Sequence, residues 1–353
     1  MRSFILGLTL VLATLQGSAQ TVQTVAAPVT VGSYVWGYDD SLRPTGVSRL
    51  KWGADKAKTL GNVLRIELGY DQYGNYGFDP AVTPGQSDYL RTLAQLPDYA
   101  AVFSEWTGKT IILTTYTPAG FNHDWAFGLA DLGRERLEYY NLATYLRDTY
   151  PTITWILDSW EGNWETNGQL AQLPAWQSFM RAKVLGVKES GAKNVFSAVE
   201  INCSQPGRSN PCMSTTVLDA IPAIGPDYVS YSAWQTINIF DNSTDSVALQ
   251  QQMEADLGFI LERLGPGYSG ENLIIGEFGR RRDHPMPARQ WFDAVYGAAF
   301  NLRVKYMIYW QAIDDPGTLQ YGAFTNAGVI TDNGYALQRL SRRWPVLYRK
   351  YFQ

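Results

Sequence analysis

The feature that most constrains this chain is a rhythm. Eight short runs rich in β-branched and aromatic residues recur along it, at Tyr34–Gly37, Val63–Leu68, Thr110–Tyr116, Thr152–Asp158, Val195–Ile201, Tyr228–Trp234, Leu273–Phe278 and Tyr306–Gln311. Runs this apolar on both faces suit a parallel sheet covered by helices, since a half-exposed sheet would alternate apolar with polar. Helical spacing fills the gaps. Arg134–Thr149 sets Leu137, Tyr140 and Leu146, with Tyr150 just beyond, near one face, and Ser246–Leu264 does so with Leu249, Met253, Leu257, Ile260 and Leu261. Gly265-Pro266-Gly267 then breaks the second helix. Ala288–Val304 and Tyr335–Phe352 complete the pattern. Eight βα repeats without a Gly-rich nucleotide fingerprint predict an α/β chain closed into a single (β/α)₈ TIM barrel, not a doubly wound sheet.

Composition narrows the setting. Arg2, the apolar run Phe4 to Leu15 and the small residues Gly17-Ser18-Ala19 read as a signal peptide over residues 1–19. The barrel domain then occupies 20–353, and the expected location is secreted or periplasmic. The apolar run is too short for a bilayer span, which needs about 20 residues, so no membrane attachment is expected after signal removal. The net charge of −4 and the lack of a basic stripe argue against nucleic acid as a partner. Two histidines, His123 and His284, are too few for a His-rich zinc site and leave little room for a Ser-His-Asp triad. Both fall in βα loops, where a surface position is the ordinary outcome. The two cysteines, Cys203 and Cys212, flank a turn-forming span and are expected to pair in an exported chain. A monomer is expected.

In a barrel the residues that act sit where strands end. Strand two ends Leu64-Arg65-Ile66-Glu67, and strand four ends Asp158-Ser159-Trp160-Glu161-Gly162-Asn163-Trp164-Glu165. Strand five ends Glu200-Ile201-Asn202, strand six Tyr231-Ser232-Ala233-Trp234, strand seven Gly276-Glu277-Phe278-Gly279, and strand eight Tyr309-Trp310-Gln311. Two carboxyl groups at one rim are the constellation that cleaves a glycosidic bond: one protonates the leaving oxygen, the other attacks the anomeric carbon or activates water. Their pKa values must be held apart, and a nearby arginine, here Arg65, favours ionisation of one. Glu277 follows an apolar run beside glycine, a poor place for a purely structural charge, although an ion pair with one of Arg280 to Arg282 would also account for it. Glu161 directly follows strand four; Glu165, one helical turn on, is its rival. Glu200 and Glu67 suit either sugar hydroxyls or loop amides. Trp36, Trp234 and Trp310 suit either sugar stacking or barrel core.

With these residues the chain resembles the large clan of retaining (β/α)₈ glycosidases that includes cellulases, mannanases and β-galactosidases. The resemblance implies Glu161 as acid/base, Glu277 as nucleophile, and Arg65, Tyr231 and Trp310 in substrate-contacting roles. It covers the barrel in layout and only short motifs in letters. Strand four departs from the clan pattern: Trp160 stands where an Asn normally precedes the acid/base, and Asn163 or Asn202 is a candidate for that Asn's contact to the sugar. The function implied is hydrolysis of a β-linked oligo- or polysaccharide by double displacement, with no metal or organic cofactor. The alternatives are a carbohydrate-binding protein without activity on the same barrel, and a transglycosylase.

Overall fold

The computed structural model describes residues 29–35, 48–68, 88–95, 97–115, 131–159, 173–202, 215–314 and 320–352. Eight parallel strands close in sequence order: β1 (Thr30–Val35), β2 (Val63–Leu68), β3 (Thr110–Thr115), β4 (Thr154–Ser159), β5 (Val195–Asn202), β6 (Tyr228–Ser232), β7 (Leu273–Phe278) and β8 (Tyr306–Tyr309). β1 pairs with β8 through Thr30↔Tyr306 to shut the barrel. The first strand begins before its expected start, at Thr30 instead of Tyr34.

Alternation along each strand divides the side chains. On β2, Leu64, Ile66 and Leu68 join the shell between sheet and helices, whereas Val63 belongs to an inner cluster with Tyr34, Ile112, Ile156, Ala198, Ile274, Tyr306 and Ile308. The barrel interior therefore has an apolar floor. Above it the same inward positions turn polar: Arg65, Thr114, Asp158 and Glu200, from four strands, are all buried.

Among the described residues the helices are α1 (Arg49–Ala57), α2 (Asp88–Gln95), α3 (Pro97–Glu105), α4 (Leu132–Thr149), α5 (Leu173–Glu189), α6 (Thr215–Ile224), α7 (Trp234–Asn238), α8 (Ser246–Leu264), α9 (Ala288–Asn301) and α10 (Asp332–Phe352). Their ends are chemically marked. Asp131 accepts from Arg134 N at 3.0 Å to start α4, and Asp245 accepts from Val247 N and Ala248 N to start α8. Gly265 ends α8 at φ 76°, a conformation that a Cβ disfavours.

The buried face of α4 differs from the expected one. Leu137 and Tyr140 are exposed, and the inward stripe is Glu135, Glu138, Tyr139, Leu142, Ala143 and Leu146. That stripe carries two glutamates: Glu135 meets Lys183 of α5, whose ammonium lies 3.5 Å away and over the rings of Tyr139 and Phe179, and Glu138 accepts from Tyr89 N. Burial raises the pKa of Glu135 and lowers that of Lys183. On α8 the expected face is the buried one, through Leu249, Met253, Leu257 and Ile260.

Candidate active site

The site is built around Arg65. Its guanidinium is fully buried and reaches across the barrel from β2. Nε donates to Thr114 Oγ1 on β3 at 2.8 Å. Nη1 and Nη2 form a fork with Glu200 on β5, at 2.8 Å each, and Nη1 also donates to the Gly276 carbonyl on β7 at 2.9 Å. The Tyr34 ring lies 4.8 Å beneath it, and the Tyr34 hydroxyl donates to Glu67 in a short hydrogen bond. Glu200, open at the sequence level between sugar contact and scaffold, is thus the partner of Arg65.

Glu277 reaches this cluster through a break in register. Strict alternation on β7 would put residue 277 on the same side as Leu273 and Ile275, which face the helices. The β7–β8 pairing shifts between Ile275 and Phe278, and on the β6 side Ser232 aligns with Glu277. Parity reverses there: Phe278 packs outward against Trp291, while Glu277 turns inward. A bulge of this kind re-aims one side chain at a barrel rim. Gly276 makes room for the arrangement, because a Cβ there would lie 2.1 Å from Ser230 Oγ and 3.1 Å from Arg65 Nη1.

The two oxygens of Glu277 are unequal. Oε2 accepts from Trp234 Nε1 at 3.0 Å and from Ser232 Oγ at 3.4 Å. Oε1 is buried, accepts no hydrogen bond among the described residues, and lies 3.4 Å from Arg65 Nη1. Burial pushes the carboxyl up to about 7; Arg65 opposes this and the Glu200 charge adds to it. Asp158, 3.8 Å from Arg65, is also pushed up to about 7, by burial and then by Glu200. One guanidinium cannot neutralise three carboxylates, so the cluster holds protons near neutrality. Arg65 favours the charged form of Glu277, as expected, yet desolvation outweighs it.

Trp234, Trp310 and Tyr321 form an aromatic wall beside Glu277, with ring centroids 5.2–5.5 Å apart and edge-on packing. Trp234 and Trp310 are only partly buried, which leaves indole surface towards the barrel mouth. Tyr231 is corrected. It faces outward into the helix shell, and its hydroxyl shares a 2.6 Å hydrogen bond with Thr236. The β6 alternation turns Ser232 inward instead, and Trp234, two residues after it, supplies the closer donor to Glu277.

The arginine run does not pair with Glu277. Arg280 is buried and donates to the carbonyls of Met286 and His284 and to Asn333 on α10; Arg281 pairs with Asp283 and Arg282 with Asp314. His284 is buried, not on the surface. Its Nδ1 accepts from Met286 N, which leaves Nε2–H to donate to the Phe240 carbonyl at 2.9 Å and tie the β6 and β7 loops together. Burial and Arg280 lower its pKa. Trp36, His123, Glu161, Asn163, Glu165, Cys203 and Cys212 lie outside the described residues, as does the side chain of Asn202.

No family model matches the chain, and no curated protein matches it in sequence. Solved structures do. An exo-β-1,4-mannosidase, Op5Man5 from Opitutaceae bacterium strain TAV5, superposes with a TM-score of 0.60 at 13% identity over 90% of this chain, which spans only 60% of that longer protein. A GH5-4 broad specificity endoglucanase from Ruminococcus champanellensis, with bound cellotriose, gives 0.59 at 14% identity over 89% of this chain and 96% of its own. The catalytic domain of the major endoglucanase from Xanthomonas campestris pv. campestris gives 0.56 at 17% identity, covering 88% and 93%. At such identities the likeness is one of architecture, and the chain has the (β/α)₈-barrel fold that these glycoside hydrolases share.

Proposed function

We propose that the protein is a retaining glycoside hydrolase acting on a β-linked oligo- or polysaccharide, with Glu277 as nucleophile and Glu161 as acid/base. The observation that carries the reading is the Glu277 carboxylate: Oε2 is anchored, while Oε1 is buried, accepts no hydrogen bond among the described residues, and is backed by Arg65 next to an aromatic wall. A nucleophile needs a free lone pair with fixed direction, and aromatic faces pack on pyranose rings. In the first step Oε1 bonds to the anomeric carbon, the glycosidic bond breaks, and Glu161 protonates the departing oxygen. In the second, Glu161 takes a proton from water, which displaces the glycosyl ester. The structural neighbours, an exo-β-1,4-mannosidase and endoglucanases, make β-1,4-mannans and glucans the first substrates to assay. Export behind residues 1–19 and a Cys203–Cys212 bridge belong to the same reading and are checked by the intact mass of secreted protein with and without reduction.

The test is a variant series on aryl β-glycosides and polysaccharides. Glu277→Gln is expected to abolish turnover, because an amide cannot form the glycosyl ester. Glu161→Gln is expected to be crippled on polysaccharide but to cleave an activated aryl glycoside once, with azide restoring turnover in place of the missing base. Azide rescue at Glu165→Gln and not at Glu161→Gln would move the acid role to Glu165. Full activity in Glu277→Gln overturns the assignment. Retention further requires a carboxyl separation of about 5–5.5 Å and a product of unchanged anomeric configuration, read by NMR.

A further inference from the structure

We propose that Trp234 is the positioning residue of the Glu277 carboxylate, its indole N–H deciding which oxygen is held and which is left to react. The inference rests on Glu277 being the nucleophile and adds how that group is set.

Three observations converge on it. The end of β6 is tied to the end of β7 by Ala233 N donating to the Glu277 carbonyl at 2.8 Å, which puts the next residue, Trp234, beside the Glu277 side chain. The indole N–H then meets Oε2 at 3.0 Å, with Ser232 Oγ a longer second contact to the same atom. The ring itself has little freedom. It is wedged edge-on against Trp310 and Tyr321, and it lies so close to Gly279 that a Cβ there would sit 2.5 Å from its outer carbon. Tyr231, the phenol nearest the end of this strand, is turned outward to Thr236.

An indole N–H is a donor only and does not titrate in the working range. It therefore favours the ionised carboxylate without competing for the proton, as a phenol near a carboxylate can. When Oε1 bonds to the anomeric carbon, the carboxylate becomes an ester and its charge is lost. When water displaces the ester, the C–O bond pair returns to the carboxylate and the N–H meets a growing negative charge. The hydrogen bond is thus strongest where Glu277 is free, and it acts on ionisation and on the release step.

Trp234→Phe keeps a ring and removes the N–H. Losing a hydrogen bond to a charged group is expected to lower kcat about tenfold or more. The acid limb of kcat/KM is expected to move to higher pH by about half a unit or more, because the charged form has lost a donor. KM should change little, since an aromatic ring is kept. A raised KM with an unmoved pH profile would make Trp234 a stacking surface and overturn the proposal. If Trp234→Phe does not fold, Trp234→Met, flexible enough to fill the same space without an N–H, is expected to give the same shift of the limb. A readout without turnover separates this proposal from the glycosidase reading: the Tm change caused by Trp234→Phe should vary between pH 5 and 8 in the wild-type background and not in Glu277→Gln. Absence of hydrolysis with that coupling present sinks the activity alone; equal, pH-independent Tm changes in both backgrounds sink the Trp234 assignment.

Discussion

At the scale of single residues, Glu277 carries two demands that pull against each other: as the proposed nucleophile it would have to ionise, and it is buried next to other carboxyls. Folded-state carboxyls at about 7, for Glu277 and Asp158, compare with about 4 in an unfolded chain. Between those values the folded protein binds more protons than the unfolded chain. Its stability is therefore highest at the acidic end of the window and falls as pH rises through about 7, by up to about 1.4 kcal/mol per pH unit for each group. Glu277→Gln removes one such carboxyl. Its Tm relative to wild type should accordingly rise from pH 5 to pH 8, as followed by thermal melts; a gap that stays constant would show that Glu277 does not titrate there. The letters IIGEFG and Arg65 sufficed to single out both members of this contact. They did not distinguish Tyr231 from Trp234 as the neighbour of Glu277, because that depends on strand parity on β6 and on a bulge in β7, and a one-residue change of phase is invisible in a run that is apolar throughout.

Among elements, α4 and α5 show what periodicity can and cannot say. The α8 face was legible because its stripe is wholly apolar. The α4 face was not, since Glu135 and Glu138 sit on the buried side, where Glu135 meets Lys183 from another helix and Glu138 accepts from Tyr89 N. A buried pair costs most when half of it is removed. Lys183→Met should lower stability by about 3–5 kcal/mol, and adding Glu135→Leu should recover most of the loss. Urea denaturation of the two single variants and the double variant decides it: additive losses would mean that the two side chains do not interact. Strand positions were legible to within a few residues, because eight apolar runs of similar length leave a closed parallel sheet few alternatives. The short helices α1, α2, α3 and α7 carry too few turns to impose a period.

Across the whole molecule, the mouth of the barrel is assembled from segments far apart in sequence. Trp234 follows β6, Trp310 follows β8, and Tyr321 comes from the long connection to α10. Trp310→Ala should weaken binding of an oligosaccharide and lower turnover by roughly tenfold, the scale of an aromatic contact plus its buried area, while Tm moves by only a few degrees. Isothermal titration in the Glu277→Gln background, where turnover is expected to be abolished, isolates the binding part. A collapse of Tm would return Trp310 to the core.

The Arg65 fork has a consequence for how the barrel can be divided. The cation stands on the second strand, and the carboxylates nearest to it, Glu200 and Glu277, stand on the fifth and seventh. The first four strands alone would present the buried guanidinium with Asp158 at 3.8 Å, and the last four would carry the two carboxylates that lie nearest to it. The ion pairs of Arg65 with Glu200 and Glu277 thus cross from one half of the barrel to the other, and they exist only in the closed ring.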